Sequence, residues 1–308
     1  MGDKRMITRF VAVAAAVLGW TGLLLPTAPS ASASTSAASV SAAFASASAS
    51  AYAPASVFAA EHADIRTSPR VFQGAGFDAC QAPDPATMEA WRRHSAYRAV
   101  GIYFGGRSRA CAKQTYLTAD WVRRTDADGW HLLPVYAGSQ SPCAGGGRAN
   151  PHPIDSARPA GQGAEEAADA VERARALAIA PGSPLYLDME AYDTGKARCA
   201  RTTLAFIRAW DERVTRAGYL AGFYSSADSG AADLERARER GMTHLPDVLW
   251  YARWGAAAGV TREPVLAEGA WSPHERVHQY AGAVTETHGG RQLTVDRDLV
   301  DAPVAVIR

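Results

Sequence analysis

The chain has 308 residues, 32 Lys and Arg against 31 Asp and Glu, a formal net charge of +1, and 47% apolar residues. With charges balanced and no long basic run, the electrostatic footprint of a nucleic-acid binder is missing, and that class is excluded. Four cysteines, an even number, suit an oxidising compartment.

Residues 1–33 read as a secretory signal. Lys4, Arg5 and Arg9 give the positive start, Phe10 to Leu25 the apolar run, and Ala31-Ser32-Ala33 the small-residue cleavage site. The run contains Gly19, Thr21 and Gly22 and falls short of the roughly 20 residues a span needs, so cleavage is favoured over a retained anchor. There is no twin-arginine pair, which points to the general secretory route. Residues 34–66 are nearly all Ala and Ser, a composition that buries no core and reads as a disordered linker. The remainder, 67–308, has the size of one α/β barrel domain.

Within it, Val71 to Cys80 carries a first strand ending at Asp78, followed by a helix from about Ala86 to Ser95 with Met88 and Trp91 on one face. Ala99 to Gly106 is a second strand, and Leu117 to Thr125 a helix with Thr118 as N-cap. His131 to Gly138 is a third strand. A Gly-, Pro- and Ser-rich loop runs from Ser139 to Gly163, long enough to be a lid or binding loop. Gly163 to Ile179 is an alanine-rich helix. Leu185 to Asp193 is a fourth strand with Tyr186, Asp188 and Glu190 on one face and Leu185, Leu187 and Met189 on the other. Arg201 to Ala217 is an amphipathic helix closed by Gly218. Leu220 to Ser226 is strand five, and Ala231 to Arg240 a short helix. Val248 to Trp254, Val277 to Ala281 and Leu293 to Asp298 are strands without convincing helices between them.

Five strand–helix units and three further strands predict an α/β fold, a TIM-like (β/α)5β3 barrel with incomplete helical cover after strand five. An open doubly wound sheet is the rival, but no Gly-x-Gly-x-x-Gly turn follows the first strand. In a barrel the functional side chains gather at the C-terminal strand ends. That would bring Asp78, Asp188, Glu190, Asp296 and Asp298 into one cleft, ringed by Tyr103, Tyr136, Tyr224, Trp250, Tyr251, Trp254, Gln279 and Tyr280. Carboxylates resist crowding and burial, so a chain that places several together usually uses them. Aromatic faces beside carboxylates and amides suit a sugar, whereas ordinary core packing is the competing account of each ring taken singly. Three cysteine pairings are possible. In the barrel, Cys80–Cys111 and Cys143–Cys199 each join loops from neighbouring strands at one end.

The ordered set Phe77-Asp78, Leu187-Asp188-Met189-Glu190, Phe223-Tyr224, His278-Gln279-Tyr280 and Val295-Asp296-Arg297-Asp298 resembles the strand-end motifs of family 25 glycoside hydrolases, the lysozyme-type muramidases. The Gly-Phe-Asp start and the Tyr-Phe-Gly-Gly second strand resemble, more closely, the bacterial glycoside hydrolase-like domain family known as the 1906 class. The resemblance spans Val71 to Arg308. It implies Glu190 as general acid, Asp188 as the carboxylate assisting the transition state, and Asp78 and Asp296 as flanking acids. It departs from the muramidase pattern at His278, where Trp is usual, and in the Ser139–Gly163 loop, both expected in the substrate groove.

The expectation is therefore a secreted, monomeric glycoside hydrolase acting on a cell-envelope polysaccharide such as peptidoglycan, with no cofactor, no metal, no nucleic-acid partner and no membrane span after cleavage. The alternative is a non-catalytic glycan-binding module using the same groove. A hydrolase holding a hard cation on the four acids is a weaker rival.

Overall fold

The computed structural model describes residues 69–145 and 150–308. The expected leader over 1–33 and linker over 34–66 lie outside the described residues. Eight strands close into a barrel in sequence order. They are β1 (Val71–Asp78), β2 (Ala99–Gly105), β3 (His131–Tyr136), β4 (Pro184–Asp188), β5 (Leu220–Ser226), β6 (Val248–Ala252), β7 (Arg276–His288) and β8 (Arg291–Pro303). Helices α1 (Pro85–His94), α2 (Ala119–Ala127), α3 (Pro159–Ala176) and α4 (Ala197–Arg216) follow the first four strands, and a π-helical turn leading into α5 (Ala232–Glu239) follows the fifth. No helix follows β6 or β7 among the described residues, so the (β/α)5β3 pattern holds.

Local chemistry explains the helix starts. Asp84 caps α1 by accepting from Thr87 N at 3.0 Å, with Pro85 in the first turn, and Thr118 caps α2 by accepting from Trp121 N at 3.1 Å. Helix α3 begins four residues before the expected Gly163, because Pro159 occupies its first turn and the residues between hold helical geometry.

Two apolar layers fill the molecule. One lies between barrel and helices and holds Phe77, Trp91, Trp130, Leu187, Trp210 and Phe223; the other fills the barrel with Leu133, Val135, Tyr186, Trp250, Val277 and Val300. Leu185 and Leu187 face the helices while Tyr186 faces inward, as the alternation along β4 requires. Truncating a fully buried ring such as Trp210 costs about 3–5 kcal/mol in such a setting.

Three expectations change. Strand β4 ends at Asp188, not Asp193, because Met189 N turns to Tyr224 O at 3.0 Å and Glu190 N to the Gln140 side chain at 2.8 Å. The last strand is antiparallel to both neighbours, and Asp296 and Asp298 lie midway along it rather than near its end. The reason is the tight turn at Gly289 and Gly290, which makes β7 and β8 a hairpin of 13-residue strands. Its outer part leans on α1 and the connection after it: Trp91 Nε1 donates to Arg291 O at 2.9 Å and Tyr97 OH donates to Glu286 at 2.9 Å.

Both disulfides join the expected partners, Cys80–Cys111 and Cys143–Cys199, with Cα separations of 5.6 and 6.0 Å. Each ties a loop at the C-terminal end of one strand to the connection following the next. The first closes 31 residues of chain. Replacing Cys80 and Cys111 by Ser is expected to remove about 3 kcal/mol of stability, read as a lower thermal midpoint that reductant lowers no further through this pair. An unchanged midpoint would mean that the cross-link carries no weight.

Candidate active site

Strand register assembles the acids. Asp78, the last residue of β1, lies directly opposite Asp296 of β8, and Gly76 lies opposite Asp298. On the other side of β8, Asp298 is paired with Gln279 of β7. Asp188 closes β4 beside Tyr224 of β5. Gly101 on β2 leaves room for this gathering: a Cβ there would stand 2.5 Å from that of Asp78 and 3.0 Å from the Trp250 ring. Asp78, Asp188, Glu190 and Asp296 line one cavity of about 280 Å³, together with Tyr103 and Arg109.

Gln279 is the hub. Its amide nitrogen donates to Asp78 Oδ2 at 2.8 Å and reaches Asp296 Oδ2 at 3.4 Å, while its amide oxygen accepts from Tyr224 OH at 3.0 Å and Trp254 Nε1 at 2.9 Å. Tyr103 OH donates to Asp78 Oδ1 at 3.1 Å. Trp250 Nε1 donates to Asp298 Oδ1 at 3.1 Å, and Ala283 N to Asp296 Oδ1 at 2.6 Å. Buried Asp188 Oδ1 receives no donor among the described residues.

Burial and the crowding of like charges set the protonation. Burial first, then the Asp296 charge, pushes Asp78 up to about 7. Burial, then Glu190 and Asp78, holds Asp188 well above the usual carboxylate range. Burial, then Asp78 and Asp296, does the same to Asp298. Asp78 and Asp298 also meet carboxyl to carboxyl, a contact that lowers Asp78 and raises Asp298. The pair thus favours a proton between them, and Asp298 Oδ2 has no hydrogen-bond partner among the described residues. Glu190 differs. Its side chain is exposed to solvent, yet burial, followed by Asp296, leads the causes that raise it. A concave wall crowding a group that still meets water accounts for both.

The expected residues separate into groups. Asp78, Asp188, Glu190, Asp296 and Tyr103 share the cavity, and Tyr224 lines the adjoining one with Trp254. Gln279 and Asp298 are buried behind them as supports. Trp250 is only 1% exposed and forms the floor, so it offers no face to a ligand. Tyr136 does not enter the cleft: it lies in the helix-side layer against Phe104 and donates to Asp169 of α3 at 2.8 Å. Tyr280 stands on the face of β7 opposite Gln279, beside His278, with ring centroids 6.1 Å apart. His278 itself is outside the groove. It stacks on Tyr251 at 4.8 Å and is held by Gly259 O and Arg253 O. Strand alternation moves all three outward.

Two features were missed. Gln140, at the start of the long loop, donates to Asp188 O at 2.9 Å and accepts from Glu190 N, fixing the backbone between the two acids. Arg107 and Arg109, on the loop after β2, line the cleft beside Glu190. The loop's Gly-Gly-Arg-Ser-Arg run was the available signal.

A family model described as the Rv2525c-like, glycoside hydrolase-like domain matches residues 89–300, more than half of the chain. The chain belongs to this family. The match covers the glycoside hydrolase-like domain from α1 to β8, including Asp188, Glu190, Asp296 and Asp298, and begins after Asp78. Comparison with the curated proteins finds no match. Among solved structures, the Tat-secreted protein Rv2525c of Mycobacterium tuberculosis in complex with L-tartrate is similar at 16% identity and a TM-score of 0.52, over 76% of this chain and 99% of that one. An uncharacterized B. stearothermophilus protein is similar at 23% identity and a TM-score of 0.48, over 73% and 95% of the two chains. The modular autolysin LytC of Streptococcus pneumoniae is similar at 14% identity and a TM-score of 0.46, over 74% and 46%. The Rv2525c likeness bears on the fold of this glycoside hydrolase-like domain, whose barrel it supports.

Proposed function

We propose that this glycoside hydrolase-like domain is a secreted enzyme that hydrolyses a glycosidic bond in a cell-envelope polysaccharide such as peptidoglycan. Glu190 is the general acid and Asp188 the carboxylate that steadies the transition state. The observation that carries the reading is the position of Glu190, which lines three adjoining cavities. A glycan laid along them would cross Glu190 with its scissile oxygen within reach, directly above the buried Asp188.

Hydrolysis needs one proton on the pair and one negative charge. Burial raises both acids and the charge of Glu190 raises Asp188 further, so ionising the two together is costly and the pair can keep one proton. A sugar covering Glu190 removes its water and favours its neutral form. Glu190 then gives its proton to the leaving oxygen, the C–O bond breaks, and the charge growing at the anomeric carbon is met by ionised Asp188. Water completes the new bond, and its proton returns to the pair. Asp78 and Asp296 flank the path, with Asp78 held by Tyr103 and Gln279. Trp254 is 58% exposed and lies against Gly282, where a Cβ would stand 2.0 Å from its ring; it offers a face on which a sugar can stack.

The test is release of reducing ends from peptidoglycan and from chitin oligomers, with and without Glu190→Gln. The expected result is a fall of about 100-fold or more with glycan binding kept. Binding without release by the unaltered protein would instead support the non-catalytic glycan-binding module. The preceding segments belong to the proposal as well: a leader over 1–33 would deliver the barrel outside the cell, and a linker over 34–66 would join it.

A further inference from the structure

The cleft is chemically lopsided about Glu190. On one side, the cavity of about 350 Å³ between the β5 and β6 ends is lined by Trp254, Tyr224 and, as its one cation among the described residues, Arg253. That cation is already neutralised: Arg253 makes paired contacts with Asp228, the shortest 2.6 Å, and with Glu263, the shortest 2.7 Å. On the other side, a second cavity of about 350 Å³ is bounded by Arg107, Arg109, Asn150 and His152.

The arginines on that side are less fully paired than Arg253. Arg107 is exposed; among the described residues its ion pair is with Glu166, at 3.6 Å, whose oxygens are occupied by Ser139 and Gln162, and Glu165 feels its charge without pairing to it. Arg109 makes no ion pair among the described residues; it donates to Gly106 O at 3.0 Å and more distantly to Tyr103 O at 3.4 Å. Burial, followed by the like charge of Arg173, lowers its pKa despite the opposing charge of Asp169, so its positive charge is held at a cost that a further anion would relieve. Arginine forks also suit planar carboxylate and tetrahedral phosphate groups. Neither arginine bonds to Glu190 or Asp188, so both stay available beside the acids.

We infer that the arm of the cleft walled by Arg107 and Arg109 binds an acidic sugar unit, one carrying a carboxylate or phosphate, while the Trp254 arm takes a neutral one. The glycan is thereby oriented across Glu190, with its anionic unit on the side of the β2 and β3 loops. This rests on the reading of the cleft as a glycan site, and extends it to the charge and direction of the chain bound.

The test uses the chain carrying Glu190→Gln and three β-linked tetrasaccharides, in calorimetry at low salt. One is neutral (N-acetylglucosamine), one alternates N-acetylglucosamine with glucuronate, and one carries 6-phosphates. At least one acidic tetramer is expected to bind about 10-fold more tightly than the neutral one, and comparison of the two identifies the anion. The advantage shrinks as salt rises. It disappears in Arg107→Gln/Arg109→Gln, the acidic tetramers losing more affinity than the neutral one. Because Arg109 braces two backbone carbonyls, Arg107→Gln alone, at an exposed position, serves as the second variant and should lose part of the advantage. Equal binding of all three, no binding of any, or an equal loss for neutral and acidic tetramers on removing the arginines would overturn the inference. Acid-selective binding with no bond cleavage by the unaltered protein would sink the hydrolase reading alone, and cleavage without acid preference would sink this inference alone.

Discussion

Stability falls as the pH rises from about 4 to about 8, the reverse of the usual trend for a protein rich in paired carboxylates. Four buried acids set this expectation. Asp78 is raised to about 7, and Asp188, Asp298 and Asp211 are held well above the usual carboxylate range, each chiefly by burial. Below the unfolded value near 4, folded and unfolded chains are both protonated and these groups exert no effect. Between that and the folded value, only the folded chain keeps the protons, and each pH unit costs about 1.4 kcal/mol per group. For Asp78 alone, from 3.8 to about 7, the loss is on the order of 4 kcal/mol. Acids lowered by partners, such as Asp84 and Asp228, act with the opposite sign, but below about pH 4, and they are exposed enough to count for little. Thermal midpoints at pH 5, 6, 7 and 8 check this. Asp298→Asn should raise the midpoint at pH 8 and flatten the slope, since an amide can still accept from Trp250 and donate to Asp78. Asp211→Asn, in α4 and away from the cleft, should act in the same direction, because neither Asp211 oxygen has a donor among the described residues. A midpoint climbing steadily from pH 5 to 8 would contradict the account.

The second large effect is expected at Gln279. Gln279→Leu leaves Asp78 without its shorter donor and leaves Tyr224 OH and Trp254 Nε1 without the acceptor they share. Each stranded polar group costs about 1–3 kcal/mol if it finds no water, so a loss of about 3 kcal/mol or more in unfolding free energy is expected. The Gln279 contact also lowers Asp78, and its removal lets burial push that acid above about 7. Freed from its acceptor, Trp254 no longer holds one orientation, and glycan binding and turnover should fall together. Denaturant unfolding gives the first quantity, and carboxyl-carbon NMR titration of Asp78 gives the second. An unchanged midpoint with Asp78 titrating at or below 7 would show that Gln279 is a bystander.

The sequence shows the barrel clearly because helical periodicity and short apolar strands alternate five times and then stop. It also shows Asp78 and Asp188, since an acid closing an apolar strand has little other use. Facing was harder to read. In β3, Leu132 to Tyr136 are all buried, some inside the barrel and some under α3, so no polar side marks which way Tyr136 points. The same ambiguity hid the outward turn of His278 and Tyr280. Glu190 was expected on the strand, since two residues beyond Asp188 the alternation still fits; the Gln140 side chain, 50 positions away, is what draws its backbone off the sheet. Partners at that separation leave no trace in a local pattern. The arginine wall beside Glu190 escaped notice for a related reason, since charges in a loop read as solvated until the fold sets them against a cavity.

The antiparallel last strand fixes where the domain can be gripped. Because β8 runs back down the barrel, Pro303 pairs with Val71, and Arg308 N reaches Ala178 O below α3. Both termini of the described fold thus leave from the floor, opposite the cleft. A bead, column or reporter coupled at either one would hold the domain mouth outward, leaving the approach of a long, insoluble polymer unblocked.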